Sequence, residues 1–174
     1  DVVQADVHDG EAMARLLPGH DAVVNLVAIL HGNAAAFERV HVALTRTLAG
    51  ACMATGVRRV VHLSALGAAA DAPSLYQRSK AAGEAVLHEA GLSLTVLRPS
   101  VIFGAGDRFL NLFARLQAVL PAMPLAGAHA RLQPVWVEDV AQAVVRCLAD
   151  NRTAGQTYEA CGPDVRSLAG LVRL

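Results

Sequence analysis

The residues most able to do chemistry are Tyr76-Gln77-Arg78-Ser79-Lys80, preceded by His62-Leu63-Ser64-Ala65. A tyrosine and a lysine at i and i+4 of one helix share a face. A phenol is a poor acid or base at neutral pH because its reference pKa is about 10. An ammonium beside it favours phenolate and lowers that value. Lysine suits the task, since its compact charge rides on a flexible stem that also reaches a sugar hydroxyl. Ser64 falls just past an apolar strand pattern, where a hydroxyl can hold a substrate oxygen beside the phenol. These are the parts of a proton-transfer site next to a hydride donor. The plainer alternative is a core-capping tyrosine and a solvated lysine. Composition favours chemistry. Lys80 is the only lysine among 15 basic residues, and there are only two tyrosines. The spacing therefore arises by chance at roughly 1%.

Strands and helices must alternate to position this group. Val2-Val3, Asp21 to Leu26, Arg59 to Leu63, Leu92 to Leu97 and Pro134 to Val137 are short apolar, β-branched runs that predict buried parallel strands. Helical patterns lie between them at Asp9 to Leu17, Ala36 to Thr55, Ser74 to Ala90, Arg108 to Leu120 and Asp139 to Leu148. In the second, Val40, Leu44, Leu48 and Cys52 form one apolar stripe, and Gly56 stands at a C-cap position. Asp139 is placed to act as an N-terminal carboxylate. The alternation predicts an α/β chain with a Rossmann-like, doubly wound parallel sheet and helices on both faces. One domain is expected, with a small substrate-side region around 104–135 and 156–174. Pro121 to His129 is the candidate for a mobile substrate-side loop. Ligands bind beyond the carboxyl ends of such strands, which singles out Asp6, Leu26 to Leu30, Ser64 to Gly67 and Arg98 to Asp107.

The composition excludes several classes. Hydrophobic residues make up 54% and charged residues 17%, so a sizeable core is expected and disorder is not. Fifteen acidic residues balance fifteen basic ones. No basic run exceeds Arg58-Arg59, so no nucleic-acid partner is expected. The longest apolar stretch, Ala22 to Leu30, is too short to span a membrane and carries Asn25. Cys52, Cys147 and Cys161 are scattered and odd in number. They predict neither a disulfide framework nor a metal site, and a reducing cytoplasm is the default. No G-x-G-x-x-G loop occurs, and Gly104-Ala105-Gly106 follows the wrong strand. The first βαβ unit, with its pyrophosphate-binding helix N-terminus, is therefore expected upstream of Asp1.

Ser64 followed by Tyr76-x-x-x-Lys80 resembles the active-site signature of short-chain dehydrogenases/reductases. Leu97-Arg98-Pro99-Ser100-Val101-Ile102-Phe103-Gly104, Gln133 to Ala141, Thr157-Tyr158-Glu159 and Gly162-Pro163 resemble segments of the extended branch, which includes nucleotide-sugar epimerases and dehydratases. The phrases HLSALGA, YQRSKAAGE and RPSVIFGAGDRFLN are most similar to the atypical group related to the Rossmann-fold accessory subunit of respiratory complex I. The resemblance runs over nearly the whole chain.

It implies a catalytic set of Ser64, Tyr76 and Lys80, with Lys80 also on a ribose. It implies NAD or NADP as cofactor, lined by Asp6 and Val7, by Leu26, Val27 and Ala28, and by Pro99, Ser100 and Val101. Ala65, Asp107, Arg108 and Arg131 fall where substrate contacts lie. Plainer roles stand beside these: a turn or capping aspartate for Asp6, buried strand for Leu26 to Ala28, a strand end for Pro99, and surface arginines for Arg108 and Arg131. The implied substrate is a small carbinol or carbonyl compound, nucleotide-linked sugars included. A homodimer through 36–55 and 74–90 is one expectation. The alternative is a non-catalytic nucleotide-binding accessory subunit or sensor of a respiratory complex, at the inner face of a membrane. One departure favours that alternative. His41-Val42-Ala43-Leu44-Thr45 stands where the extended branch usually has asparagine in N-V-x-G-T, and a lone helical histidine is more often structural than catalytic.

Overall fold

The computed structural model describes residues 1–107 and 127–172. The chain divides into two compact units, Asp1–Arg98 with Val144–Tyr158, and Pro99–Ala143 with Glu159–Leu174. The expected helix Arg108 to Leu120, Arg108 itself, and most of the Pro121 to His129 loop lie outside the described residues.

The first unit is built on a sheet of order β1-β2-β3-β7, formed by β1 (Ala22–Asn25), β2 (Arg59–Leu63), β3 (Ser93–Pro99) and β7 (Thr157–Ala160). β1 and β2 run parallel, as do β2 and β3, with Asn25 opposite His62 and Leu63 opposite Leu97. The sheet and its helices make the Rossmann-like α/β fold that the strand–helix alternation predicts. Val2 and Val3 depart from the expectation. They join no strand and are exposed, because an isolated apolar pair has no ladder partner here to satisfy its backbone.

Helix α1 (Gly10–Leu16) starts at Asp9, whose carboxylate accepts from the Glu11 and Ala12 amides. The long helical run is α2 (Ala34–Phe37), a π-helical turn (Glu38–Ala43) and α3 (Leu44–Thr55). Gly56 ends it at φ 79°, the left-handed cap read from the sequence. The π-helical turn interrupts the single helix that the sequence pattern predicts over 36–55, and it moves the apolar stripe. A π turn accommodates one residue more than an α turn. Phe37, His41 and Val42 are buried there, whereas Val40 is only half-buried; beyond it Leu44, Leu48 and Cys52 are buried as expected. Helix α4 (Leu75–Glu89) is capped by Ser74, whose hydroxyl accepts from the Gln77 amide. Leu48, Cys52, Val60, Leu87, Leu94 and Val96 centre one hydrophobic cluster between sheet and helices. Arg59 ties the strand beginnings together, donating to the Ser93 carbonyl at 2.8 Å, to Thr153 Oγ1 at 2.9 Å and to the Cys147 carbonyl.

The second unit contains β4 (Ile102–Phe103) parallel to β6 (Val135–Trp136), and β5 (Arg131–Leu132) antiparallel to β8 (Arg166–Ser167). Gly162 packs against the Pro134 backbone so closely that any side chain would overlap its carbonyl. Helix α5 (Val137–Ala149) begins two residues earlier than expected, with Asp139 inside its first turn, and α6 (Leu168–Val172) follows β8.

Candidate functional site

Local chain geometry places the central trio. Tyr76 and Lys80 lie one turn apart on α4, and Ser64 follows the last residue of β2. The Ser64 amide donates to the Leu97 carbonyl at 2.7 Å. This extends the β2–β3 ladder by one residue and holds the serine at the sheet's carboxyl edge. Its side chain is buried and Oγ has no hydrogen-bond partner among the described residues. A buried hydroxyl left without a partner costs about 1–3 kcal/mol, and a substrate oxygen would supply one.

Lys80 is 1% exposed, and its Nζ donates to the Leu63 carbonyl at 2.7 Å. Desolvation lowers its pKa to about 8, opposed by the Glu84 carboxylate one turn on. Glu84 is itself held by Arg98 through two hydrogen bonds of 3.0 and 2.6 Å. A lysine one turn away predicts a lowered pKa for the phenol. In the structure the Tyr76 phenol is raised above its ordinary value, because burial disfavours phenolate. A phenol held in that direction keeps its proton at neutral pH and is suited to donate it.

Three further buried polar residues, His41, Asn25 and His62, were left without a site role by the sequence. His41 is 2% exposed. Its Nε2 accepts from the Ile29 amide at 3.1 Å and its Nδ1 lies 2.8 Å from Ser79 Oγ, which in turn donates to the Tyr76 carbonyl. These partners require the Nδ1–H tautomer. The ring stacks on Phe37 at 5.4 Å and meets the Tyr76 ring edge-on at 5.6 Å. Asn25 Oδ1 accepts from the Val27 amide, and its Nδ2 lies 3.1 Å from His62 Nδ1. Accepting on Nδ1 places the proton of this second buried histidine on Nε2. For Asn25 and His62 the signal in the sequence was polarity out of place, an asparagine and a histidine within apolar strand runs; for His41 it was the departure from N-V-x-G-T.

The other expected positions divide by environment. Leu26, Val27 and Ala28 follow β1 and are exposed, Leu26 at 61%, so they are not the buried strand that was their alternative. The Asp6 carboxylate accepts from the His8 amide and its carbonyl from the Asp9 amide, a turn-forming role; Val7 beside it is half-buried. Ala65 is buried, and its carbonyl accepts from the Ala68 amide. In the second unit, Pro99 ends β3, the Ser100 amide donates to Ala160, and the Val101 carbonyl accepts from Val135. Asp107 closes a turn onto Gly104, and Arg131 is exposed on β5. Among the described residues, no helix is long and apolar enough to cross a membrane.

The two buried histidines set an expected pH response. Burial comes first among the causes in both, followed by the positive charge of Lys80. The pKa of His41 falls to about 4 and that of His62 to about 3. Both folded values lie below the ordinary 6.5. Between these limits the unfolded chain binds protons that the folded chain refuses. Stability is therefore lost as pH falls from about 6.5 towards 3, by up to about 1.4 kcal/mol per pH unit for each histidine. Denaturant unfolding at successive pH values checks this. A flat profile between pH ~5 and ~6.5 would show that neither ring is held neutral.

Comparison with known proteins gives concordant matches. The family model described as NAD dependent epimerase/dehydratase family matches residues 1–161. NADH dehydrogenase (ubiquinone) 1 alpha subcomplex subunit 9, mitochondrial, from Mus musculus is 34% identical over 171 residues, 97% of this chain and 45% of that protein. Ceramide reductase from Caulobacter vibrioides is 32% identical over 147 residues, 83% of this chain and 46% of that protein. The chain thus spans about half the length of these relatives. A dTDP-glucose 4,6-dehydratase from Streptomyces venezuelae, solved with NAD bound, superposes with a TM-score of 0.88 at 26% identity, covering 98% of this chain and 62% of that one.

Proposed function

The chain belongs to the NAD dependent epimerase/dehydratase family, and from that membership we propose that it is an NAD(P)-binding oxidoreductase of the extended short-chain dehydrogenase/reductase type. Its substrate is a carbinol or carbonyl compound, with nucleotide-linked sugars and, from the relative named ceramide reductase, ceramide-related compounds the first classes to screen. The carrying observation is the buried Ser64 hydroxyl without a partner, set at the strand end where Lys80 also terminates.

The residues present fit a dinucleotide. Residues 26–28 are exposed just past the end of β1, and Lys80 is a buried cation whose ammonium is bonded to the last residue of the neighbouring β2. Bound NAD(P) would supply or accept the hydride. Ser64 Oγ holds the substrate oxygen. Tyr76, kept protonated by burial, gives that oxygen its proton in the reducing direction and takes it back in the other. Lys80 holds positive charge close to the strand end that carries Ser64, and would be the residue to hold a ribose hydroxyl of the bound dinucleotide.

A second reading is a non-catalytic, dinucleotide-holding accessory subunit. Two observations favour it: the relatives named as NADH dehydrogenase subunits, and a lysine ammonium bonded to a backbone carbonyl. The cofactor would then stabilise the fold by mass action. The cytoplasm suits the first reading, with a homodimer as its assembly. A place in a respiratory complex at a membrane's inner face suits the second.

Calorimetry of the full-length protein with NAD(H) and NADP(H) tests the shared premise, with Lys80→Met as the partner variant. Affinity is expected to fall by about 10-fold or more in the variant, the worth of a charge-assisted hydrogen bond. Wild-type protein that binds neither dinucleotide would sink both readings.

A further inference from the structure

The π-helical turn carries more than a packing irregularity. It rotates His41 onto the buried side, where one imidazole meets three elements at once. Through Nε2 it holds the Ile29 amide, in the chain segment that leaves β1. Through Nδ1 it meets Ser79, whose hydroxyl is bonded to the Tyr76 carbonyl on α4. Its ring face lies on Phe37 of α2, and it meets the Tyr76 ring at an interplanar angle of 79°. The approach of α4 is close enough that Gly83 lies against the His41 carbonyl, where no side chain fits. Single-turn π bulges recur where a side chain must be aimed.

We propose that His41 is a positioning residue, the joint through which the backbone after β1 is held in register with the helix that carries Tyr76 and Lys80. This rests on the dinucleotide reading above, since the 26–28 backbone is the segment assigned there to the cofactor. Both of its nitrogens are engaged, so it neither donates nor accepts a reacting proton. A leucine of similar bulk would fill the space and break both hydrogen bonds. A glutamine would return an acceptor to the position of Nε2 but not the ring that walls Tyr76.

The two variants therefore separate the two arms. Full-length protein is titrated with NAD+ by calorimetry. The Tyr76 phenolate is followed by ultraviolet difference absorbance of each protein against its Tyr76→Phe counterpart. In His41→Leu the NAD+ dissociation constant is expected to rise about 3- to 10-fold, and the phenolate midpoint to fall by about half a pH unit as water reaches the ring. In His41→Gln the affinity is expected to return to wild type while the midpoint stays displaced. A histidine that merely fills space would lower Tm and leave affinity and midpoint where they were. Equal weakening in both variants, or none in either, overturns the assignment. Should the wild type bind no NAD+, the functional reading falls by itself, and the midpoint in His41→Leu decides whether the joint to Tyr76 survives. Should His41→Leu fail to fold, Ser79→Ala removes the link from His41 to α4, with the Ser79 bond to the Tyr76 carbonyl, and leaves the Ile29 bond in place; an unmoved midpoint there overturns the proposal.

Discussion

Tyr76→Phe is expected to reduce turnover by about 10²–10⁴-fold, the range for a lost general acid, with dinucleotide affinity unchanged. The variant removes one oxygen and little else. A phenylalanine keeps the ring that meets Phe37 at 6.1 Å and His41 at 5.6 Å, so the aromatic trio stays assembled. Burial raises the phenol above its ordinary pKa, which makes Tyr76 a proton donor at rest and a base only once charge develops nearby. The loss should therefore fall on kcat rather than on KM. Steady-state kinetics on the best substrate from a screen of carbonyl and carbinol compounds, alongside NAD(H) calorimetry, measures both quantities. Unchanged turnover would remove Tyr76 from the chemistry. Undetectable turnover in the wild type, with firm dinucleotide binding, would shift the balance to the accessory-subunit reading.

Gly83→Ala should destabilise the fold by about 3 kcal/mol, at the upper end of overpacking costs, and lower Tm by roughly 6–12 °C. A Cβ at this position would overlap the backbone carbonyl of His41. A carbonyl in a helical turn has no rotamer to relieve the clash, so α4 must move as a unit. Moving α4 displaces Tyr76 and Lys80 with it, and activity is expected to fall together with stability. Gly50→Ala is the matched control. It lies inside α3 with nothing within 4 Å of an added Cβ, and exchanging glycine for alanine in a helix interior should add about 0.5–1 kcal/mol. Thermal melts of the two variants against wild type suffice. A Gly83→Ala melt within about 2 °C of wild type, under 1 kcal/mol by the same conversion, would show that the helices do not meet so tightly.

Local patterns were legible. The strand Arg59–Leu63, the Gly56 cap and the α4 helix with Tyr76 and Lys80 on it appear where the sequence put them. Each depends on periods and caps within a few residues. Short strands such as Ile102–Phe103 and Arg131–Leu132 escaped, because two residues show no period and exist only through their partners. Val2-Val3 shows the converse, a strand-like composition without a partner.

The sequence by itself determined the alternation of strands and helices, and with it the fold class. It also determined the spacing that puts a tyrosine and the chain's only lysine on one helical face. Both follow from backbone geometry, which any stretch of chain carries locally. Only the tertiary structure decided what those groups experience. Asn25 meets His62 across 37 positions, His41 meets Ser79 across 38, and Lys80 ends on a carbonyl 17 residues earlier. The π-helical turn moved the buried stripe from Val40 to His41, and burial sent the Tyr76 phenol upward where a nearby lysine alone would have drawn it down. Desolvation and buried hydrogen bonds depend on which distant atoms close around a group, and no local period encodes that.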